Sequence, residues 1–156
     1  MGPKDGLFRK TEEQREDHLA DVDELEFDLS EELGATGGNS VQRLTLYVPT
    51  RDQGGNAIPD VSHWISEAKR ILAAIGGGYT ALPPFDGGWI NEQGALIEEE
   101  VFLLYTYIRP KQFLADLPKL RDFLHSLGRE TGQGEVAIEF DEVFYRITEF
   151  DPEEPS

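Results

Sequence analysis

Residues 41–50, VQRLTLYVPT, alternate along their length: Leu44, Leu46 and Val48 fall on one side of an extended chain, and Arg43, Thr45 and Tyr47 on the other. A period of two with one apolar side predicts a half-buried strand. Such a strand has to be covered, and two later stretches carry helical stripes that can cover it. Trp64, Ala68, Ile71, Leu72 and Ile75 recur at helical spacing, with Glu67, Lys69 and Arg70 on the opposite side. Asp60 or Ser62 is placed to cap that helix. In 110–128, Phe113, Leu117, Leu120, Leu124 and Leu127 form a second stripe, with Pro118 expected to kink or restart the helix and Asp116 nearby as a cap.

Between the helices, YTALPP predicts a short strand broken at Pro83-Pro84. FDGGWINEQG predicts a brief strand around Trp89, with a bend or bulge at Gly87-Gly88 and a turn at NEQG with Gly94 left-handed. The longest strand candidate is ALIEEEVFLLYTYI, 95–108, and the last is EVAIEFDEVFYRITEF, with a bulge or tight turn at Asp141-Glu142. The order is β-α-β-β-α-β. It predicts an α+β, ferredoxin-like antiparallel sheet with two helices on one face. Large apolar residues on both sides of 95–108 predict that the second face is also covered, by a subunit or by the N-terminal segment.

GGGYTALPPFDGGW, 76–89, invites comparison with a phosphate cradle. Phosphate loops aim backbone N–H groups from the start of a helix, where the dipole is positive. Gly76, Gly77 and Gly78 instead follow a helix, and no GK[ST] comes after them. The reading is a helix cap in the left-handed conformation.

Charge is unevenly spread. The chain of 156 residues carries 31 acids against 14 bases, net −17. The acids are densest in 1–40 and 149–156, which predicts three segments: an acidic, partly disordered or partner-folding extension at 1–40, a folded domain at 41–148, and an acidic tail at 149–156. Within 1–40, Leu19, Val22, Leu25, Leu29 and Leu33 follow helical spacing, with Gly34 as a stop. Such a charge repels nucleic-acid phosphate and anionic membrane, so neither is an expected partner. A basic protein is. The segment holding Val22, Glu24, Leu25, Glu26, Phe27, Asp28 and Leu29 is its candidate site. No run approaches the ~20 apolar residues that span a bilayer. The start has no secretory character, and there is no cysteine, so the expected location is the cytoplasm.

No catalytic motif stands out. His18, His63 and His125 lack partners at metal-ligand spacing and are read as surface or capping residues, and GxSxG is absent. No metal or cofactor is expected. Glu98-Glu99-Glu100 is the most suggestive carboxylate run, because two acids on one strand face can bind a divalent metal or divide acid and base roles. Charges at the start of a strand more often end in solvent, and that reading is preferred. Arg43, Tyr47, Tyr79, Trp89, Tyr105, Tyr107 and Tyr145 form a polar-aromatic set that suits either a small-molecule pocket or an aromatic core and interface, the latter being preferred.

The landmarks LTLYVPT, SHWI, GGGYTALPPFDGGW, LIEEEV and GQGEVAIE, spanning about residues 43–140, resemble small bacterial ferredoxin-like families of unknown function. The resemblance implies a fold and an accessory role, and no activity. The acidic extension and Pro83-Pro84 depart from that pattern.

Three functional expectations follow. The first is a non-enzymatic interaction protein, with self-association, docking through the acidic segment and the open sheet face. The second is a small-molecule-binding protein or small enzyme of dimeric ferredoxin-like type, with Tyr47, Trp89, Glu98, Glu100 and Tyr105 around one cavity; dispersal of these over both sheet faces would count against it. The third is a nucleic-acid mimic, with carboxylates spaced like phosphates.

Overall fold

The computed structural model describes residues 27–37, 39, 41–153 and 155. The chain divides into two units, 1–40 and 41–156. In the first, α1 (Leu29–Leu33) is capped at both ends. The Asp28 carboxylate accepts from the Ser30 amide at 2.9 Å, and Gly34 closes the helix in the left-handed conformation. No residue of α1 is buried. Val22, Glu24, Leu25 and Glu26 lie outside the described residues, while Phe27 and Leu29 are exposed.

The second unit is α+β. Its elements run β1 (Arg43–Pro49), α2 (Val61–Gly76), β2 (Thr80–Ala81), β3 (Phe85–Ile90), β4 (Leu96–Tyr107), α3 (Pro110–Glu130), β5 (Val136–Phe140) and β6 (Val143–Ile147). All strand pairs are antiparallel. β1 lies between β4 and β5, β6 pairs with β5 at one edge, and β2 and β3 share the outer edge of β4.

Two features go beyond a plain βαββαβ order. Pro83-Pro84 interrupt the edge partner of β4, because proline has no N–H for the ladder. β2 therefore pairs with Leu104 and Tyr105, and β3 pairs separately with Leu96 to Val101. The stretch after α3 is two strands rather than one. Asp141 and Glu142 both take positive φ (50° and 68°), the signature of a tight two-residue hairpin, so β5 folds back into β6.

The alternation seen in 41–50 is the organising feature of the core. Leu44, Leu46 and Val48 are fully buried or nearly so, and meet Leu104 of β4, Trp64, Ala68, Leu72 and Ile75 of α2, and Leu120, Phe123, Leu124 and Leu127 of α3. Each fully buried aliphatic side chain of this kind contributes roughly 1.5–3 kcal/mol. Thr45, on the other side of β1, is also buried. Its neighbours in the ladder are Tyr105 and Glu139.

Other local expectations are met or changed for identifiable reasons. Gly77 ends α2 with φ 83° and its amide bonds the Ala73 carbonyl, which is the cap reading of the glycine run. Gly94 is left-handed, φ 79°, in the turn between β3 and β4. Gly87 and Gly88 form no bulge, since β3 keeps an unbroken register with β4. Gly87 is needed for space: a Cβ there would come within 2.7 Å of Val101 Cγ2. α3 passes through Pro118 without restarting. Proline removes only one N–H from the ladder, and the flanking Leu120, Phe123 and Leu124 anchor the helix to the core. Asp116 is buried and accepts from Gln112 at 2.8 Å, rather than capping a helix. Asp60 occupies the cap position of α2 without a capping hydrogen bond; Ser62 donates to its carboxylate.

Candidate functional site

Where α2 ends, β2 begins and β4 finishes, the chain forms a cleft of about 180 Å³ lined by Gly76, Gly78, Tyr79, Thr80, Tyr105, Thr106 and Tyr107. Its construction follows from the sequence. The left-handed Gly77 turns the chain out of α2, and β2 then pairs through Thr80 opposite Tyr105. Thr106 donates to the Gly78 carbonyl at 2.6 Å, and the Arg109 amide donates to the Ile75 carbonyl at 3.1 Å. Both bonds tie the end of β4 to the end of α2. The approach is so close that a side chain at Gly76 would overlap Thr106 Oγ1 and the Tyr107 carbonyl, and one at Gly77 would overlap the Arg109 guanidinium.

The cleft is aromatic, and two of its rings carry a cationic neighbour. Tyr105 and Tyr107 meet edge to face, centroids 5.9 Å apart. The Arg43 guanidinium lies 5.3 Å above the Tyr105 ring, and Lys69 Nζ lies 5.6 Å from the Tyr79 ring. Tyr79 and Tyr107 are about half exposed. Such faces can stack on a flat group, while backbone carbonyls and the threonine hydroxyls orient it.

Strand parity decides the fate of the expected five-residue cavity. Pairing of Tyr47 with Leu103 and of Trp89 with Ile97 sets Tyr47, Trp89 and Tyr105 on the helix-free face. Glu98 and Glu100 alternate to the other face, so the five do not converge. Only Tyr105 lines the cleft. Tyr47 instead donates to the Glu139 carboxylate at 2.7 Å and meets the edge of Phe144. Burial, reinforced by the bond to Glu139, pushes its phenol up to about 12. Trp89 stands on β3, partly exposed.

Within the acidic run, Glu99 is the carboxylate on the helix-free face. It accepts the Arg51 amide at 3.3 Å. Desolvation raises its pKa, and the amides of Arg51 and Thr50 and the Arg51 charge oppose this only in part. The alternation along β4 could have singled out Glu99 beforehand, because it shares parity with Tyr105.

His63 is exposed against Trp64, as a surface residue should be. His125 departs from expectation and is buried. Among the described residues, no group of three or more metal-ligating side chains is brought together. A second hollow, about 430 Å³, lies between α2 and α3 over Trp64 and Phe123, with a rim of mixed charge. No described helix is long and apolar enough to cross a membrane.

No family model and no curated protein matches this chain. Among solved structures, it is similar to a phage SAM lyase in complex with S-methyl-5'-thioadenosine, at 18% identity and a TM-score of 0.49, over 72% of this chain and 92% of that one. It is also similar to a phage SAM lyase in the apo state, at 14% identity and a TM-score of 0.47, with the same coverage of each chain. The expectation of a non-enzymatic interaction protein is corrected here. The solved structures it is similar to are of a lyase, one of them with a small molecule bound, and not of an interaction protein.

Proposed function

We propose that this chain binds a small molecule, as a binding protein or a small enzyme, and that the tyrosine-lined cleft at the end of β4 receives a flat ring of the ligand. The supporting observation is the meeting of Tyr79, Tyr105 and Tyr107 with the backbone of Gly76 and Gly78 in one concavity. At about 180 Å³ the cleft is smaller than the ~300–1,000 Å³ that encloses a drug-sized ligand. It suits one ring system, with the rest of the ligand lying over the helix-free sheet face. In this reading the sheet is a ferredoxin-like one extended by β6. Association of two copies over the helix-free face would deepen the cleft.

Calorimetric titration tests this, with adenosine, S-methyl-5'-thioadenosine and S-adenosylmethionine as first probes and other heteroaromatic metabolites after them. The expected result is saturable binding that weakens at least tenfold in Tyr79→Ala. Equal affinity in the variant, or no binding across the probes, would overturn the proposal.

A further inference from the structure

After β6 the chain turns back along α3 and is clasped there by four contacts. The Phe150 ring covers Gly128 so closely that a Cβ at that position would overlap it. The Asp151 carboxylate takes both arms of Arg121, at 2.9 and 3.0 Å. Arg129 donates to the Asp151 carbonyl. His125, buried under the edge of Phe150, accepts the Asp151 amide on Nδ1 at 2.7 Å.

The last contact constrains the imidazole. An Nδ1 that accepts an N–H carries no proton, so the folded clasp requires neutral His125 with its proton on Nε2. Protonation of Nδ1 would set two donors against each other. The Asp151 Oδ2, which accepts from Arg121, lies 3.4 Å from the same nitrogen and is the acceptor a protonated Nδ1 would turn to. The charged groups around the ring are therefore Asp151 from the returning segment and Arg121 and Arg129 from α3.

We infer that residues 148–151 form a proton-sensitive strap, held on α3 by neutral His125 and loosened at its Asp151 amide when that imidazole is protonated. Acid moves His125 from a backbone acceptor to a competitor for the Asp151 carboxylate. The exchange costs the strap one part-buried hydrogen bond without unfolding the sheet.

The test is amide hydrogen exchange on the full chain, followed at Asp151 and at a core amide such as Leu46 between pH 8 and pH 5, each corrected for intrinsic exchange. His125→Asn is the comparison, because its amide oxygen can take the place of Nδ1 and does not titrate. Protection at Asp151 should fall roughly five- to tenfold with acidification, as one lost hydrogen bond implies, while Leu46 keeps its protection. In His125→Asn the Asp151 protection should be independent of pH. Constant protection in the wild type, or the same fall in the variant, would overturn the inference. Should the asparagine variant fail to fold, imidazole titration by NMR decides. A His125 signal that titrates without any parallel shift at the Asp151 amide would be contradictory.

Discussion

Tyr105 and Tyr107, two residues apart on β4, meet edge to face at 5.9 Å and form one wall of the cleft. Tyr107 is 47% exposed, so the ring contributes little to the core. Tyr107→Ala should therefore leave thermal unfolding within a few degrees of wild type. Ligand affinity should fall by about 1–3 kcal/mol, the usual value of a stacked ring. Calorimetry and a melting curve on the same sample separate the two effects.

Gly76 allows α2 and β4 to approach. Gly76→Ala would force a methyl into Thr106 Oγ1 and the Tyr107 carbonyl, neither of which can easily give way. The expected loss is about 1–3 kcal/mol or more in denaturant unfolding, as for overpacked sites. Gly78→Ala, which meets nothing within 4 Å, should cost much less and serves as the control.

The Tyr47 hydroxyl donates to Glu139 in a part-buried bond between β1 and β5. Tyr47→Phe removes the donor and keeps the ring against Phe144. Stability should fall by about 1 kcal/mol. In a spectrophotometric titration of the wild type, one tyrosine should ionise near pH 12, and that step should be missing from the variant.

Glu99 works in the other direction. Its folded pKa is raised, chiefly by desolvation, so folding favours the protonated form. The stability linked to that proton is present below the ordinary carboxylate range and is lost as pH rises through the raised value. Glu99→Gln should therefore raise the melting temperature at pH 7, by on the order of 1–2 °C, because the group is only partly buried and solvent screens it. The gain should vanish toward pH 4. A variant less stable than wild type at pH 7 would show that the Arg51 amide bond outweighs desolvation.

Much of this architecture is visible in local periodicity. Leu44, Leu46 and Val48 declare β1, and the stripes from Trp64 to Ile75 and from Phe113 to Leu127 declare the two long helices, because side-chain direction follows directly from a period of two or 3.6. Other features depend on partners distant in sequence. His125 sits off the leucine stripe and reads as a surface residue until Phe150 and Asp151 return to cover it. Asp141-Glu142 permits either bulge or turn, and the pairing of Val136 with Ile147 selects the turn. The site was legible only in part. Tyr79, Tyr105 and Tyr107 stand out as aromatics, but nothing local says that β2 pairs at Tyr105 and brings Tyr79 beside them. The parity of β4 was legible, and it separates Tyr105 from Glu98 and Glu100.

The most direct measurement is an NMR amide-shift map of the full chain titrated with the tightest-binding probe. Binding in the tyrosine cleft predicts saturable shifts centred on Gly76, Gly78, Tyr79, Thr80 and Tyr105 to Tyr107, spreading to the helix-free face of the sheet. Shifts confined to His63, Trp64 and Phe123 in the hollow between α2 and α3, with none at the cleft, would contradict it.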